Sequence, residues 1–202
     1  MRYPISAVIL SGGLNSRMKG RNKALLQIDG QDLLDRLRAA VKGLFTEILL
    51  VTRDTRAYAG KGMRVVHDIF EVRSSLTGIH AGLVNTNEDH AFFTACDTPF
   101  LKRGLVELLL EEWAPSLDAV VPTSGPHYQP LCAIYSKRCI GPIEDQLRQG
   151  DPKIINFFNK VSFKTVPQER FKDVDPEFQS FFNINTPKDI PIAKNMAIRS
   201  SS

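Results

Sequence analysis

The stretch Ser6-Ala7-Val8-Ile9-Leu10-Ser11-Gly12-Gly13-Leu14-Asn15-Ser16-Arg17-Met18-Lys19-Gly20-Arg21-Asn22-Lys23 decides how the rest of the chain is read. Ser6 to Leu10 is a short apolar run that ends at Ser11-Gly12-Gly13. A run of this kind before a tight loop reads as a buried parallel strand, and ligands of doubly wound sheets bind at such strand ends. Glycines at 12 and 13 permit a sharp turn and close approach of the backbone to an anion. Successive N–H groups in such a turn form a nest for phosphate. Arg17 adds a guanidinium that can fork onto phosphate oxygens, and Lys23 adds a point charge. Adjacent glycines after a strand are also ordinary turn chemistry, and basic loop residues are usually solvated. The loop alone therefore leaves an anion site and a plain turn both open. Ala24 after Lys23 excludes the Walker A pattern, and the glycine spacing excludes the dinucleotide fingerprint.

Outward from the loop, Leu33, Leu34, Leu37, Ala40 and Val41 recur at helical spacing before Gly43. Glu47 to Val51 and Met63 to Asp68 read as strands, and Gly78 to Leu83 opens a helix. Ala91 to Cys96 is a strongly apolar strand ending at Asp97. A helix is predicted over Gly104 to Trp113, strands over Ala119 to Pro122 and Leu131 to Tyr135, and a helix over Cys139 to Arg148. Ser162 to Val166 reads as a strand, and Phe181 to Pro187 as a strand-to-turn passage before a short helix. Strands alternating with helices over the first two-thirds predict an α/β fold, a Rossmann-like three-layer sandwich around a mostly parallel sheet. The less regular last third is expected to add an antiparallel strand and a substrate-side lobe. One domain over residues 1–202 is expected, with 191–202 as a frayed tail.

Composition narrows the class further. With 202 residues and a formal charge of +4, the chain is ordinary for a globular protein with a full core. No apolar run approaches a membrane span, and the segment after Met1-Arg2-Tyr3-Pro4 is too short for a signal sequence. No clustered basic run favours nucleic acid. The expectation is a cytoplasmic protein with neither membrane nor nucleic acid as partner. Cys96, Cys132 and Cys139 are odd in number and form no CxxC pair, so neither a disulfide framework nor a zinc site is expected.

A second chemical feature is Asp97-Thr98-Pro99, directly after the apolar strand. A carboxylate at the carboxyl end of a central strand faces the ligand crevice and suits Mg²⁺, which takes a few protein oxygens plus substrate phosphates. An Asx-turn or a helix N-cap is the structural alternative. Asp68 ends another strand on the same side, as an acceptor for a base or ribose or as a plain turn carboxylate. His67 and His80 have no metal-ligand spacing.

These residues together resemble the molybdenum cofactor guanylyltransferases within the wider MobA-like nucleotidyltransferases. Leu10-Ser11-Gly12-Gly13, Arg17-Met18 and Lys23-Ala24-Leu25-Leu26 are similar to that family's L-A-G-G…R-M-G…K signature. Cys96-Asp97-Thr98-Pro99 is similar to its C-D-x-P motif, and Asn183-Ile184-Asn185-Thr186-Pro187-Lys188-Asp189 to its N-x-N-T-P-E-D-L element. Ser75-Leu76-Thr77-Gly78-Ile79 looks like its G-P-L-x-G-I segment, and Gln129-Pro130-Leu131 like its Q/H-P-L segment. The resemblance covers nearly the whole chain and implies a fold of the nucleotide-diphospho-sugar transferase type.

It also implies roles. Leu10, Ser11 and Gly12 would contact a nucleotide through backbone groups, with Gly13 completing the turn. Arg17 and Lys23 would hold the phosphates, Asp68 would lie near guanine or ribose, and Asp97 would bind Mg²⁺ beside the α-phosphate. Asn183 and Asn185 would lie on the pterin side. The implied reaction is GMP transfer from GTP to molybdenum-molybdopterin with release of pyrophosphate. Molybdoenzyme apoproteins or cofactor-insertion chaperones are the implied receivers of the product. A cytidylyltransferase, a non-catalytic nucleotide or pterin carrier, and a sugar-phosphate nucleotidyltransferase are the alternatives. Ser11 stands where the family has alanine, Lys19 where glycine is typical, Asn22 where aspartate is common and Ser75 where proline is usual. Thr52 stands where relatives have asparagine at the nucleotide, and that role is not carried over.

Overall fold

The computed structural model describes residues 2–12, 25–54, 58, 62–67, 70, 72 and 74–200. Its elements in chain order are β1 (Ser6–Leu10), β2 (Gln27–Ile28), β3 (Gln31–Asp32), α1 (Leu33–Val41), β4 (Ile48–Val51), β5 (Arg64–Val66), α2 (Ser75–Asn85) and β6 (His90–Ala95). There follow α3 (Arg103–Glu112), β7 (Ala119–Ser124), β8 (His127–Tyr128), β9 (Cys132–Ser136), α4 (Ile140–Arg148), β10 (Phe163–Pro167) and α5 (Asp189–Ser200).

The main sheet runs β10-β7-β9-β6-β1-β4-β5, with β8 paired to β7. β1 lies between β4 and β6 and is parallel to both. From β1 the chain steps outward to β4 and β5, and α2 then returns it to β6 on the other side of β1. That reversal makes a switch point between the carboxyl ends of β1 and β6, where open α/β sheets bind their ligands. Every residue of β1 and β6 is buried, as strands covered on both faces require.

Alternate residues of these strands feed two cores. Ala7, Ile9, Phe92 and Ile134 pack with Leu34 and Leu37 of α1 and with Leu105 and Leu109 of α3. Val8, Leu10, Phe93 and Tyr135 pack with Leu76, Ile79 and Leu83 of α2 and with Ile143 and Leu147 of α4. The predicted three-layer α/β arrangement is therefore the observed one. A smaller third core of Ile28, Leu33, Phe100, Ile184, Ala193 and Ala197 joins the β2–β3 hairpin, the segment after β6 and α5.

Several local expectations change. The antiparallel members are β8 and β9, not a strand of the last third: β9 pairs antiparallel with β6 and β7, and β8 with β7, while β10 is parallel to β7. The connection from β7 to β9 has no room for a crossover helix, so the chain must return antiparallel. Phe181 to Pro187 forms no strand; a single helical turn at Gln179–Phe181 ends at its first residue. The tail expected to fray from 191 is helical through Ser200, because burying Ala193 and Ala197 in the third core holds it. The β2–β3 hairpin was not anticipated. Its turn residues Asp29 and Gly30 have φ of 53° and 72°, and Asp-Gly is the sequence signal for such a turn. α2 begins at Ser75, before the expected Gly78, because Ser74 and Thr77 form a reciprocal capping box.

Gly78 and Gly82 let α2 lie close on the sheet. A Cβ on Gly82 would sit 2.6 Å from the Phe93 ring and 2.8 Å from a Val8 methyl. Gly82→Ala is therefore expected to destabilise by about 1–3 kcal/mol through overpacking. Thermal unfolding should show its midpoint falling, while Gly141→Ala in α4, where a Cβ meets nothing within 4 Å, should leave the midpoint equal or higher.

Candidate functional site

The switch point is built by backbone hydrogen bonds that continue the sheet past its regular strands. Thr52 N–H donates to the Val66 carbonyl at 3.0 Å, Ser11 N–H to Val51 at 2.8 Å, and Cys96 N–H to Leu10 at 2.9 Å. Ser11-Gly12 and Cys96-Asp97 therefore leave the sheet side by side. Leu10 packs beneath this edge against Gly78, where an added Cβ would lie 3.3 Å from a Leu10 methyl. The Ser75 to Ile79 segment thus supports the end of β1, from which the first loop leaves. Ser11 is half-buried and Gly12 exposed. The Ser11 hydroxyl lies 2.5 Å from the phenol oxygen of Tyr58, a buried residue.

Asp97 is half-buried in the turn after β6. Thr98 shapes that turn. Its N–H and its hydroxyl both donate to the Ala95 carbonyl, at 3.2 and 2.7 Å, and its hydroxyl lies 3.3 Å from that of Thr94. Phe100, three residues on, is buried in the third core.

The same core brings in the last motif. Ile184 is fully buried in it, and its N–H donates to the Asp97 carbonyl at 2.9 Å. Asn183 and Asn185 flank Ile184 and are exposed. The Asn183 side-chain amide donates to the Phe181 carbonyl at 3.0 Å. One carboxylate oxygen of Asp189 accepts from the N–H of Asn185 at 2.9 Å, and from the N–H and hydroxyl of Thr186 at 2.7 and 3.1 Å. Asp189 thereby folds Asn185-Thr186 onto the first turn of α5.

Gln129-Pro130-Leu131 reaches the same edge. Gln129 N–H donates to Pro122 at 2.8 Å, Cys132 N–H to Gln129 at 3.0 Å, and the Tyr135 hydroxyl to Pro130 at 2.8 Å. Cys132 is paired with Thr94, which sets this segment beside the Asp97 turn.

Leu10, Ser11, Gly12, Asp97, Asn183 and Asn185 are thus gathered at one sheet edge. Gly13, Arg17, Lys23 and Asp68 lie outside the described residues, as do Lys19 and Asn22. Tyr58, Thr98, Ile184 and Asp189 shape the edge without having been singled out for that. Tyr58 lies in a polar stretch with no motif around it. The others sit inside recognised motifs, in positions whose work is packing and hydrogen bonding.

Cys132 and Cys139 are not nucleophiles. Burial pushes the Cys132 thiol far above its usual range and raises that of Cys139 to about 12, so both stay protonated and unreactive at neutral pH. His80 is fully buried and its Nε2 lies 3.0 Å from a Glu144 oxygen, an α2–α4 pair away from the edge. The hydrogen bond to His80 holds the Glu144 carboxyl below its usual range. No group of three or more His, Cys, Asp or Glu suited to a metal occurs among the described residues.

The profile of the MobA-like NTP transferase domain matches residues 7–162. A molybdenum cofactor guanylyltransferase of Desulfosudis oleivorans is 37% identical over 94% of this chain and 94% of its own length. A probable molybdenum cofactor guanylyltransferase of Pelotomaculum thermopropionicum is 35% identical over 95% of this chain and 93% of its own. The crystal structure of molybdopterin-guanine dinucleotide biosynthesis protein A from Archaeoglobus fulgidus superposes with a TM-score of 0.83 at 26% identity, covering 96% of this chain and all of that one. The α/β sandwich is of the nucleotide-diphospho-sugar transferase type. The chain belongs to the MobA-like NTP transferase family and, within it, to the molybdenum cofactor guanylyltransferases.

Proposed function

We propose that this protein transfers the GMP moiety of GTP to the terminal phosphate of molybdenum-molybdopterin, forming the guanine dinucleotide form of the cofactor. The observation that carries this reading is the pair of bonds from Cys96 N–H to Leu10 and from Ile184 N–H to Asp97. They bring the loop start, the acidic strand end and the Asn-Ile-Asn segment of this family to one edge. In the reaction, a phosphate oxygen of the pterin substrate forms a bond to the α-phosphorus of GTP. The bond from that phosphorus to the β-phosphate bridging oxygen breaks, and pyrophosphate leaves with the electron pair. The attacking phosphate is already ionised at neutral pH, so no strong general base is needed. Catalysis then rests on positioning and charge neutralisation.

The residues at the edge suit these tasks. No described atom lies within 4 Å of a Cβ built on Gly12. Packing among the described residues therefore does not demand glycine there, whereas close approach of a phosphate does. Arg17 and Lys23 take the β- and γ-phosphates in this reading, on the strength of the family signature. Asp68 takes the base or ribose, and Asn183 and Asn185, exposed beside the Asp97 turn, take the pterin.

Asp97 fits a hard divalent cation. Mg²⁺ is commonly held by one or two carboxylates together with substrate phosphates, and the half-buried Asp97 carboxylate after β6 suits that need. When bound there, Mg²⁺ supplies charge neutralisation and polarisation at the α-phosphoryl group. The Asp97 carbonyl, held by Ile184, keeps the carboxylate-bearing turn in one place.

No helix among the described residues is long and apolar enough to cross a membrane. The reading includes a cytoplasmic site of action, and molybdoenzyme apoproteins or their insertion chaperones as receivers of the product.

Asp97→Asn keeps the shape of the turn and removes its charge. With GTP, Mg²⁺ and molybdenum-molybdopterin, its pyrophosphate release is expected to fall about 100-fold or more, several kcal/mol of barrier; turnover near the wild-type rate would sink the proposed role of Asp97. Each of the four nucleoside triphosphates, supplied with and without the pterin, separates this reading from the cytidylyltransferase one. GTP-dependent, pterin-dependent pyrophosphate release is expected, and a preference for CTP would reverse the base assignment.

A further inference from the structure

We propose that Tyr58 is a positioning residue for the nucleotide loop, acting through the hydroxyl of Ser11. The inference rests on the reading that this loop holds the triphosphate.

Ser11 is the first residue past β1, and its main chain is held within the sheet. Its N–H is committed to Val51, and the preceding carbonyl, of Leu10, accepts from Cys96. Beyond Ser11 the chain continues into the exposed Gly12. The direction in which the chain enters Gly12 therefore depends on what fixes the Ser11 side chain. The structure supplies one such restraint, the 2.5 Å contact between the Ser11 and Tyr58 oxygens.

Tyr58 suits this purpose because its two ends differ. It is only 3% exposed and belongs to the core cluster that includes Ile9, Leu34, Leu37 and Leu50. A ring anchored in close-packed surroundings has little freedom, so its hydroxyl is a fixed point beside Ser11. In chain order Tyr58 falls between β4 and β5, so the contact also ties the β4–β5 connection to the loop after β1. A short hydroxyl–hydroxyl bond between a buried and a half-buried group holds its geometry better than a solvated one. Alanine, usual in the family at position 11, has no hydroxyl to make this contact, so the device belongs to chains that pair a serine here with a tyrosine there. A nest of N–H groups binds an anion best when it is preset, since ordering it on binding costs affinity.

The test compares Tyr58→Phe, Ser11→Ala, Ser11→Thr and the Tyr58→Phe/Ser11→Ala double variant with wild type. GTP binding is read by calorimetry, turnover by pyrophosphate release, and folding by thermal unfolding. Tyr58→Phe keeps the buried ring, so the fold is retained. Losing one hydrogen bond of this kind is expected to weaken GTP binding and raise KM about 3- to 10-fold, with kcat of Tyr58→Phe changed much less. The double variant should be no worse than either single one, and Ser11→Thr, which keeps the hydroxyl, should restore most of the affinity. Wild-type GTP affinity in both single variants, or additive losses in the double, would overturn the proposal. A purely structural role predicts a lower unfolding midpoint with GTP affinity unmoved, and that result overturns it too. Wild-type protein that binds no GTP would instead count against the function proposed above, which keeps the two failures apart.

Discussion

Everything at the candidate site depends on the parallel pairing of β1 with β6. Its register sets Leu10 opposite Ala95, and the Cys96 N–H to Leu10 carbonyl bond carries the ladder one step further. Parallel strands reach this arrangement only through crossovers, here via α1 and α2 with β4 and β5 between them. Both strands are buried on both faces. A register slip would push buried polar groups and unpaired amides into the core, which fixes the loop start and the acidic turn as neighbours.

The opposite edge of the sheet is held by a different device. The Glu47 carboxylate accepts from the Ser6 hydroxyl at 2.9 Å, the Asn87 N–H at 2.7 Å and the Asn87 side-chain amide at 3.2 Å. Arg64 lies 3.4 Å from Oε2, the same oxygen that takes the Asn87 side-chain amide, and the Thr86 hydroxyl donates to that of Ser6. One side chain thus joins the amino end of β1, the start of β4, the start of β5 and the end of α2. This polar cross-link sits at the amino edge, opposite the strand ends that carry Ser11 and Asp97.

The third core explains how a segment so late in the chain joins a site built by the first and middle strands. Ile184, Phe100, Ile28 and Leu33 pack together with two alanines of α5. Of these, Phe100 follows Asp97, Ile184 lies between the two asparagines, and Ile28 and Leu33 follow the first loop. Removing this apolar surface from water is worth about 25 cal/mol per Å², and it is earned only when the three chain segments meet. Arg36 adds to the same assembly. Its guanidinium donates to the Ile28 carbonyl at 2.8 Å and lies 6.0 Å from the centre of the Phe100 ring.

Much of this was legible in the sequence. Apolar runs at 6–10 and 91–96, the glycines that end the first run and the aspartate that ends the second settled the fold class and placed two parts of the site, because period, turn chemistry and strand-end position are local properties. Leu33 to Val41 declared its helix through spacing alone, and the family motifs named Asn183 and Asn185. Other features followed from contacts between distant segments. The antiparallel course of β9, the ordered α5 and the absence of a strand at 181–187 all depend on what lies alongside. Tyr58 carried no local signal at all, since a tyrosine in a polar stretch becomes a fixed point only when a core closes around its ring. The sequence by itself determined which residue types stand at strand ends, where backbone and carboxylate chemistry is available. The tertiary structure alone decided which strand ends are neighbours and what holds them still, because burial and hydrogen-bond partners are properties of the folded chain and not of any one segment.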